Sequence, residues 1–212
     1  MDESSKKDML TPAEVPLETP NSAPNNQSGP FVGATFSLGQ GRTTEGSGNP
    51  GIATFFKIEP GYQIGTSSWN RIEVSGELLQ GTIGFRQATG TLSGKHRLDV
   101  NVGFLAKFGY GYSLGNRMYA LAKVGAGALT GKLKATANDL TVESDSISGT
   151  ALSLGWTMVL PIGEKIDFNG GFTWLHSQFD VGSLKAGPAV YDYGRSLVVN
   201  VPSLDLGIRV RI

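Results

Sequence analysis

The sequence predicts an all-β chain: an eight-stranded antiparallel up-and-down transmembrane β-barrel with a disordered N-terminal tail. Three observations predict it. From residue 31 onward, large apolar residues alternate with small, polar or charged ones, the period of strands with one apolar and one polar face. The connections between these segments alternate strictly, long then short, so an up-and-down arrangement gathers every long loop at one end. Glycine is abundant, 30 of 212 residues, and falls largely on the polar face. Glycine weakens a water-facing strand but fits a crowded eight-strand interior.

Residues 1–30 hold five prolines among many Asn, Ser, Glu and Lys, with little to bury, and read as a disordered tail. The remainder suits one domain. Charged residues make up 17% of the chain, below the roughly 25% of soluble domains. The net charge of zero gives no general attraction to nucleic acid. No cysteine is present, which excludes disulfides and thiolate metal sites. No run of about 18 apolar residues occurs, so a membrane-spanning helix is not expected. Met1 is followed by Asp2, Glu3, Ser4 and Ser5, so an exported chain carries Met1 in place of a signal peptide already removed.

The first strand, Phe31 to Leu38, sets Val32, Ala34, Phe36 and Leu38 against Gly33, Thr35 and Ser37. A glycine-rich loop over 39–51 follows. The second strand, Ile52 to Ile64, sets Phe56, Ile58, Tyr62 and Ile64 against Lys57, Glu59, Gly61 and Gln63. After a tight turn at Gly65 to Ser68, the third, Trp69 to Leu79, sets Ile72, Val74 and Leu78 against Arg71, Glu73, Ser75 and Glu77. The polar segment 80–97 is the second long loop. The fourth strand, Leu98 to Tyr112, is expected to place Val100, Val102, Phe104, Ala106, Phe108 and Tyr110 outside Asp99, Asn101, Gly103, Lys107 and Gly109.

A turn at Leu114 to Asn116 leads to the fifth strand, Arg117 to about Leu133, with Ala120, Ala122, Val124 and Ala126 opposite Tyr119, Lys123, Gly125 and Gly127. The acidic loop 134–149 precedes the sixth strand, Thr150 to Leu160, with Leu152, Leu154, Trp156 and Met158 against Ser153, Gly155 and Thr157. A turn at Pro161 to Lys165 leads to the seventh, Ile166 to about Gln178, with Phe168, Phe172 and Trp174 against Asp167, Asn169, Gly171 and Thr173. The loop 180–195 precedes the closing strand, which ends on Leu204, Leu206, Ile208, Val210 and Ile212 alternating with Asp205, Gly207, Arg209 and Arg211. Proline is usually confined to edges or bulges. Apolar residues switch from odd to even positions across Pro202, which predicts a bulge there.

Alternation alone leaves two barrels open, a soluble calyx with its apolar face inside and a membrane barrel with that face outside. Besides the glycines, charge and aromatic placement favour the membrane barrel. Lys57, Arg71, Lys107, Lys123, Arg209 and Arg211 balance Glu59, Glu73, Glu77, Asp99, Asp167 and Asp205, as buried charges require. Apolar-face aromatics gather near strand ends, as in the girdles of transmembrane barrels. Lys57, Glu59, Arg71, Glu73, Glu77, Asp99, Lys107, Lys123, Asp205 and Arg209 form the expected lumen ion-pair network. Counting from the turn ends puts Lys57, Glu59, Glu77, Lys107, Lys123 and Asp205 at similar heights.

In strand count, loop alternation and face pattern, residues 31–212 resemble the small eight-stranded outer-membrane barrels of the OmpA/OmpX type. The resemblance implies short periplasmic turns, long extracellular loops, a lumen plugged by side chains, a monomer, and insertion by the barrel-assembly machinery. That machinery reads a terminal aromatic, whereas this sequence ends on Ile212 after Leu206, Ile208 and Val210. The implied partners are outer-membrane lipid and lipopolysaccharide, whose phosphates Arg86, Lys95 and Arg97 could meet, and a ligand taken by loops 39–51, 80–97, 134–149 and 180–195.

No P-loop, GxSxG or metal-spaced His cluster occurs. His176-Ser177 invites comparison with the outer-membrane lipid A deacylases, but position 178 is Gln and parity puts the two on opposite faces. Asp139, Glu143 and Asp145 lack the spacing of a calcium loop. The expectation is a non-enzymatic barrel without a cofactor, serving envelope integrity and surface interaction. A narrow channel for ions or small solutes is the alternative, and a lipid-modifying enzyme the third reading.

Overall fold

The computed structural model describes residues 28–44, 49–67, 69–87, 94–115, 118–137 and 140–212. The expected tail falls almost wholly within residues 1–27, outside the described residues. Nine strands follow in order: β1 (Gly29–Thr43), β2 (Pro50–Gly65), β3 (Asn70–Gln87), β4 (Gly94–Gly115), β5 (Met118–Ala137), β6 (Leu140–Ser144), β7 (Ile147–Pro161), β8 (Ile166–Ala186) and β9 (Ala189–Arg211). All pairings are antiparallel, and β9 returns to pair with β1 from Phe31↔Arg211 to Thr43↔Val199. The ring is closed.

Nine strands fill eight places. β6 and β7 both lie between β5 and β8, and their register on β8 is continuous from Glu143↔Lys185 to Gly149↔Phe179. Against β5 the pairing steps from Lys134↔Glu143 to Gly131↔Ile147, one residue longer on the β6–β7 side. A single bulged strand is thus interrupted at Asp145 and Ser146.

The apolar face points outward. Leu206, Leu204, Phe104, Leu152 and Leu154 are all more than half exposed, whereas Lys57, Glu73, Glu77 and Arg209 on the opposite face are buried. Trp69 stacks on Tyr112 at the turn end of the belt, 6.3 Å between ring centroids. Interior glycines make room for larger neighbours. A Cβ at Gly103 would stand 2.3 Å from Leu129 Cδ2, and one at Gly61 would stand 2.5 Å from Phe31 Cζ.

The four long loops are shorter than expected, because the strands continue into them. β3 runs to Gln87 and β4 begins at Gly94; β8 and β9 meet at a turn of Gly187 and Pro188, where Gly187 has φ +58°. In these extensions the sides reverse. Leu79, Ile83, Phe85, Leu129, Leu133, Leu175, Phe179, Leu197, Val199 and Val201 all point inward and form one dry cluster. Arg86, Lys95, Arg97, Lys132 and Gln178 stand outside at exposed positions. Within the bilayer the outer face must be apolar, so polar residues go in. Above it the surroundings are water, and burial of apolar surface drives the opposite arrangement.

The expected bulge at Pro202 is absent. Register on β8 runs unbroken through Val201↔Leu175, Pro202↔Trp174 and Ser203↔Thr173. Apolar residues change parity there because the strand leaves the belt, not because its sides flip. On the β1 side no pair lies between Gly39↔Ser203 and Arg42↔Asn200, which accommodates the N–H that Pro202 lacks. A bulge does occur in β4 between Val100 and Val102. It turns Leu98 and Val100 inward, at 0% and 1% exposure, and corrects the expected outward placement of Val100.

Leu206→Arg is expected to cost about 2–4 kcal/mol in urea unfolding from lipid, as for a cation near the midplane of a barrel's lipid face. Spin labels at Leu206 and Leu154 should report lipid and a label at Ser153 should not; the reverse pattern would mean that inside and outside are exchanged.

Candidate functional site

The lumen divides into three levels along the barrel axis. Midway, side chains from five strands meet in ion pairs. Lys57 Nζ donates to Asp205 Oδ2 at 3.0 Å, Lys107 Nζ to Glu77 Oε2 at 2.5 Å, and Lys123 Nζ to Glu59 Oε1 at 2.7 Å. Two of these oxygens also take hydroxyl donors: Ser75 to Glu59 Oε1 at 2.6 Å and Thr173 to Asp205 Oδ2 at 2.7 Å. A space of about 20 Å³ remains among these side chains, enough for one water. The six charges expected at one height therefore do meet.

Toward the turn end, Glu73 bridges the layers. Its Oε2 lies 3.2 Å from Lys123 Nζ, and its Oε1 accepts from Arg209 Nη1. Arg209 Nη2 also donates to Gln63 Oε1 at 2.8 Å, and the Tyr119 hydroxyl reaches the same oxygen at 3.2 Å. Arg71 lies over the Tyr119 ring at 4.1 Å, and Arg209 lies over Phe31 at 3.4 Å. Arg211 Nη2 stands 3.1 Å from Asp167 Oδ1. Gln63, Arg71, Tyr119, Asp167, Arg209 and Arg211 help to line a vestibule of about 490 Å³ at the turn-end mouth.

Toward the loop end lies the third level, the apolar plug. His96 is buried within it, its ring stacked on Phe85 at 5.3 Å and its Nδ1 3.3 Å from the Gly94 carbonyl oxygen. Pairwise reasoning on the sequence did not foresee this level, although Leu79, Ile83 and Phe85 share the parity of Glu73 and Glu77, which was its available signal.

Nine of the ten lumen residues expected from sequence point inward; Asp99 does not. The β4 bulge places it on the outer wall, where it accepts from Arg97 Nε at 2.5 Å and lies 3.9 Å from Lys134 Nζ. Gln63, Tyr119, Asp167 and Arg211 complete the lumen set; parity placed them on the right face but could not show what they touch. With Asp99 outside, the charged side chains on the lumen wall among the described residues are Lys57, Arg71, Lys107, Lys123, Arg209 and Arg211 with Glu59, Glu73, Glu77, Asp167 and Asp205.

Arg86, Lys95 and Arg97 come together on the outer wall just beyond the belt. Arg86 pairs in register with Lys95, Arg97 with Lys134, and Asp99 with Lys132. Lys134 also reaches Glu143 Oε1 at 3.0 Å. Five cations thus share a patch with two carboxylates, beside a groove of about 500 Å³ that Ile52 and Phe85 help to line.

His176 and Ser177 fall on opposite faces. His176 Nδ1 is 2.9 Å from Asn200 Oδ1 on the outer wall, while the buried Ser177 hydroxyl donates to the Val199 carbonyl at 3.4 Å. Glu143 and Asp145 are engaged by Lys134 and Lys185, the latter pair at 2.6 Å; Asp139 lies outside the described residues. Among the described residues no group of three or more His, Cys, Asp or Glu side chains could hold a metal ion.

No family model matches the chain, and no curated protein matches it. Solved structures do. The attachment invasion locus protein Ail of Yersinia pestis, solved in complex with the heparin analogue sucrose octasulfate, is similar with a TM-score of 0.50 at 14% identity, over 88% of this chain and 99% of that one. The fold is that of a small outer-membrane β-barrel. Neisserial surface protein A has a TM-score of 0.47 at 14% identity, over 88% of this chain and 99% of its own. The outer membrane protein AlkL, solved in lipid bilayers, has 0.44 at 15% identity, over 100% and 97%. The fold and its outward apolar belt are thus those of the small outer-membrane β-barrels.

Glu77→Ala is expected to cost on the order of 3–5 kcal/mol, because it strands the Lys107 ammonium in the lumen. Lys107→Ala in the same chain should recover part of that loss, since partners in contact are non-additive. Lys123→Ala should not, because Lys123 belongs to Glu59 and Glu73. Urea unfolding of the wild type and these three variants in one lipid system checks the pattern.

Proposed function

We propose that the protein is a closed outer-membrane barrel that anchors a surface-facing ribbon end, serving envelope integrity and surface interaction, including adhesion or host contact. The observation that carries this reading is the double closure of the lumen, by the ion-pair layer and by the apolar plug above it. A conducting path needs a continuous wet passage. Here the charged layer leaves room for about one water and the next level is lined by Leu, Ile, Val and Phe. Binding at the surface then falls to the outer walls and ribbon tips, not to the pore. The same closure argues against the narrow channel.

In this reading the turns face the periplasm and the extended ribbons face outward. The barrel-assembly machinery inserts the chain through its closing strand β9. The basic patch of Arg86, Lys95, Arg97, Lys132 and Lys134 then lies at headgroup height in the outer leaflet, where lipopolysaccharide phosphates are the abundant anions. Arg and Lys with apolar surface beside them suit a phosphorylated lipid, the guanidinium forks for the phosphate and the groove for the upper part of an acyl chain.

Two measurements test these statements. In planar bilayers the wild-type protein should give no stepwise conductance; steps of reproducible size would replace the plug by a channel. The triple variant Arg86→Gln, Lys95→Gln, Arg97→Gln should bind lipopolysaccharide more weakly by about 3 kcal/mol, on the order of a hundredfold, at about 1 kcal/mol per cation near an anionic surface. The difference should shrink as salt rises. Equal binding by both proteins in nanodiscs would remove this patch from the lipid contact.

A further inference from the structure

We propose that His96 is an acid-released latch: neutral, it pins the β3–β4 ribbon end to the apolar plug, and protonated, it lets that end come away. The proposal does not depend on what the outer wall binds; only the side of the membrane from which the acid comes rests on the closed-barrel reading.

The latch sits where the ribbon is most easily opened. His96 pairs in register with Phe85 on β3 and Ala135 on β5, and this rung lies two residues from the described ribbon end at Gln87 and Gly94. The imidazole is 3% exposed and stacks on Phe85, itself a member of the plug. Its Nδ1 lies 3.3 Å from the Gly94 carbonyl oxygen. A carbonyl only accepts, so Nδ1 carries the hydrogen of the neutral ring and Nε2 holds the lone pair. Nε2 has no hydrogen-bond partner among the described residues. Unprotonated, it lies in apolar surroundings as part of an uncharged ring. Protonated, it becomes a buried charged donor with nothing to receive it, which is far more costly.

Among the described residues no neighbour offsets the added charge. The plug holds no carboxylate, and the titratable side chains packed against it besides His96 are Tyr191 and Tyr193 of β9. On the outer side of the same wall stand Arg86 of β3, Lys95 and Arg97 of β4 and Lys134 of β5, all cations. The carboxylates there are engaged: Asp99 accepts from Arg97 at 2.5 Å, and Glu143 of β6 lies 3.0 Å from Lys134. Asp145 takes Lys185 of β8 at 2.6 Å, and Asp192 and Arg195 of β9 are exposed to water.

Burial pushes the imidazole below the usual histidine value, and the Gly94 hydrogen bond opposes this only in part. A histidine lowered in the closed ribbon favours closure above about pH 6.5. That advantage is lost as the pH falls, because the opened ribbon takes up the proton first. At about pH 5 opening is favoured by up to about thirtyfold, the ratio of charged to neutral free histidine there. Arg86, Lys95 and Arg97 lie on the same ribbon end, so the latch also decides whether the basic patch is held as one surface.

The test follows amide hydrogen exchange by NMR in the full chain folded in detergent micelles, at about pH 5 and about pH 7, with intrinsic rates divided out. Amides of residues 83–86 and 95–98 should exchange several-fold faster at the lower pH, and at most about thirtyfold. Amides of residues 104–108 in the belt should show no such change. His96→Phe keeps a buried ring that cannot charge, and should abolish the acid response while the ribbon stays protected. His176→Gln, on the outer wall, should leave the response intact. If His96→Phe fails to fold, the wild-type ring signals of His96 decide, and their titration midpoint should fall below about 6.5. Equal protection of the ribbon at both pH values, an acid response that persists in His96→Phe or vanishes in His176→Gln, or a midpoint at or above about 6.5 would overturn the latch.

Discussion

Everything in this molecule depends on the closed ring of main-chain hydrogen bonds. A peptide group without a partner costs several kcal/mol in hydrocarbon, so a sheet that crosses a bilayer can have no edge. The β1–β9 pairing supplies the closure, from Phe31↔Arg211 upward. Once the ring is closed, the side chains have only two places to go, and the medium outside decides which kind goes where. The prolines show how strongly the ring dominates. Pro60 and Pro202 each remove a donor, yet the register continues on both sides of each, and the loss is confined to a local gap in one ladder.

The same strand serves two media. Along β9, Arg209, Asp205 and Ser203 face the lumen within the belt, and Val201, Val199 and Leu197 face it beyond the belt. No change of backbone geometry separates the two groups. The lower half is a membrane barrel with a polar inside, and the upper half is built like a small soluble β-barrel with a dry core and a polar outside. This arrangement stiffens the ribbons that would otherwise be long loops, because each extension buries apolar residues against its neighbours. It also seals the lumen, which shifts any binding role to the walls and the two ends.

Where the chain does change sides, a bulge does it. The irregularity between Val100 and Val102 moves Leu98 and Val100 into the plug and Asp99 onto the outer wall. That one residue alters the charge accounting at both places. It dilutes the basic patch outside with a carboxylate, and it takes one carboxylate away from the lumen wall. The interruption at Asp145 and Ser146 works in the same way on the facing strand, letting β6 and β7 share one place in the ring.

The sequence by itself determined the strand count of the ring, the alternation, the outward belt and the six charges of the mid-barrel layer. Each of these follows from a period of two and from charges at similar distances from their turns, and both are local quantities. Only the tertiary structure decided which carboxylate meets which ammonium, since neighbours across a lumen come from strands far apart in sequence, as Lys57 and Asp205 do. It also decided the height at which lipid gives way to water. That boundary is a property of the assembled belt, and it is why Leu79, Ile83 and Phe85 read as parts of a polar loop segment or its border until their strands stood beside Leu129, Leu133 and Phe179. The parity change at Pro202 was legible, but its cause was not. A bulge and a change of surroundings leave the same mark on a one-dimensional pattern, and they differ only in whether the neighbouring strands keep their register.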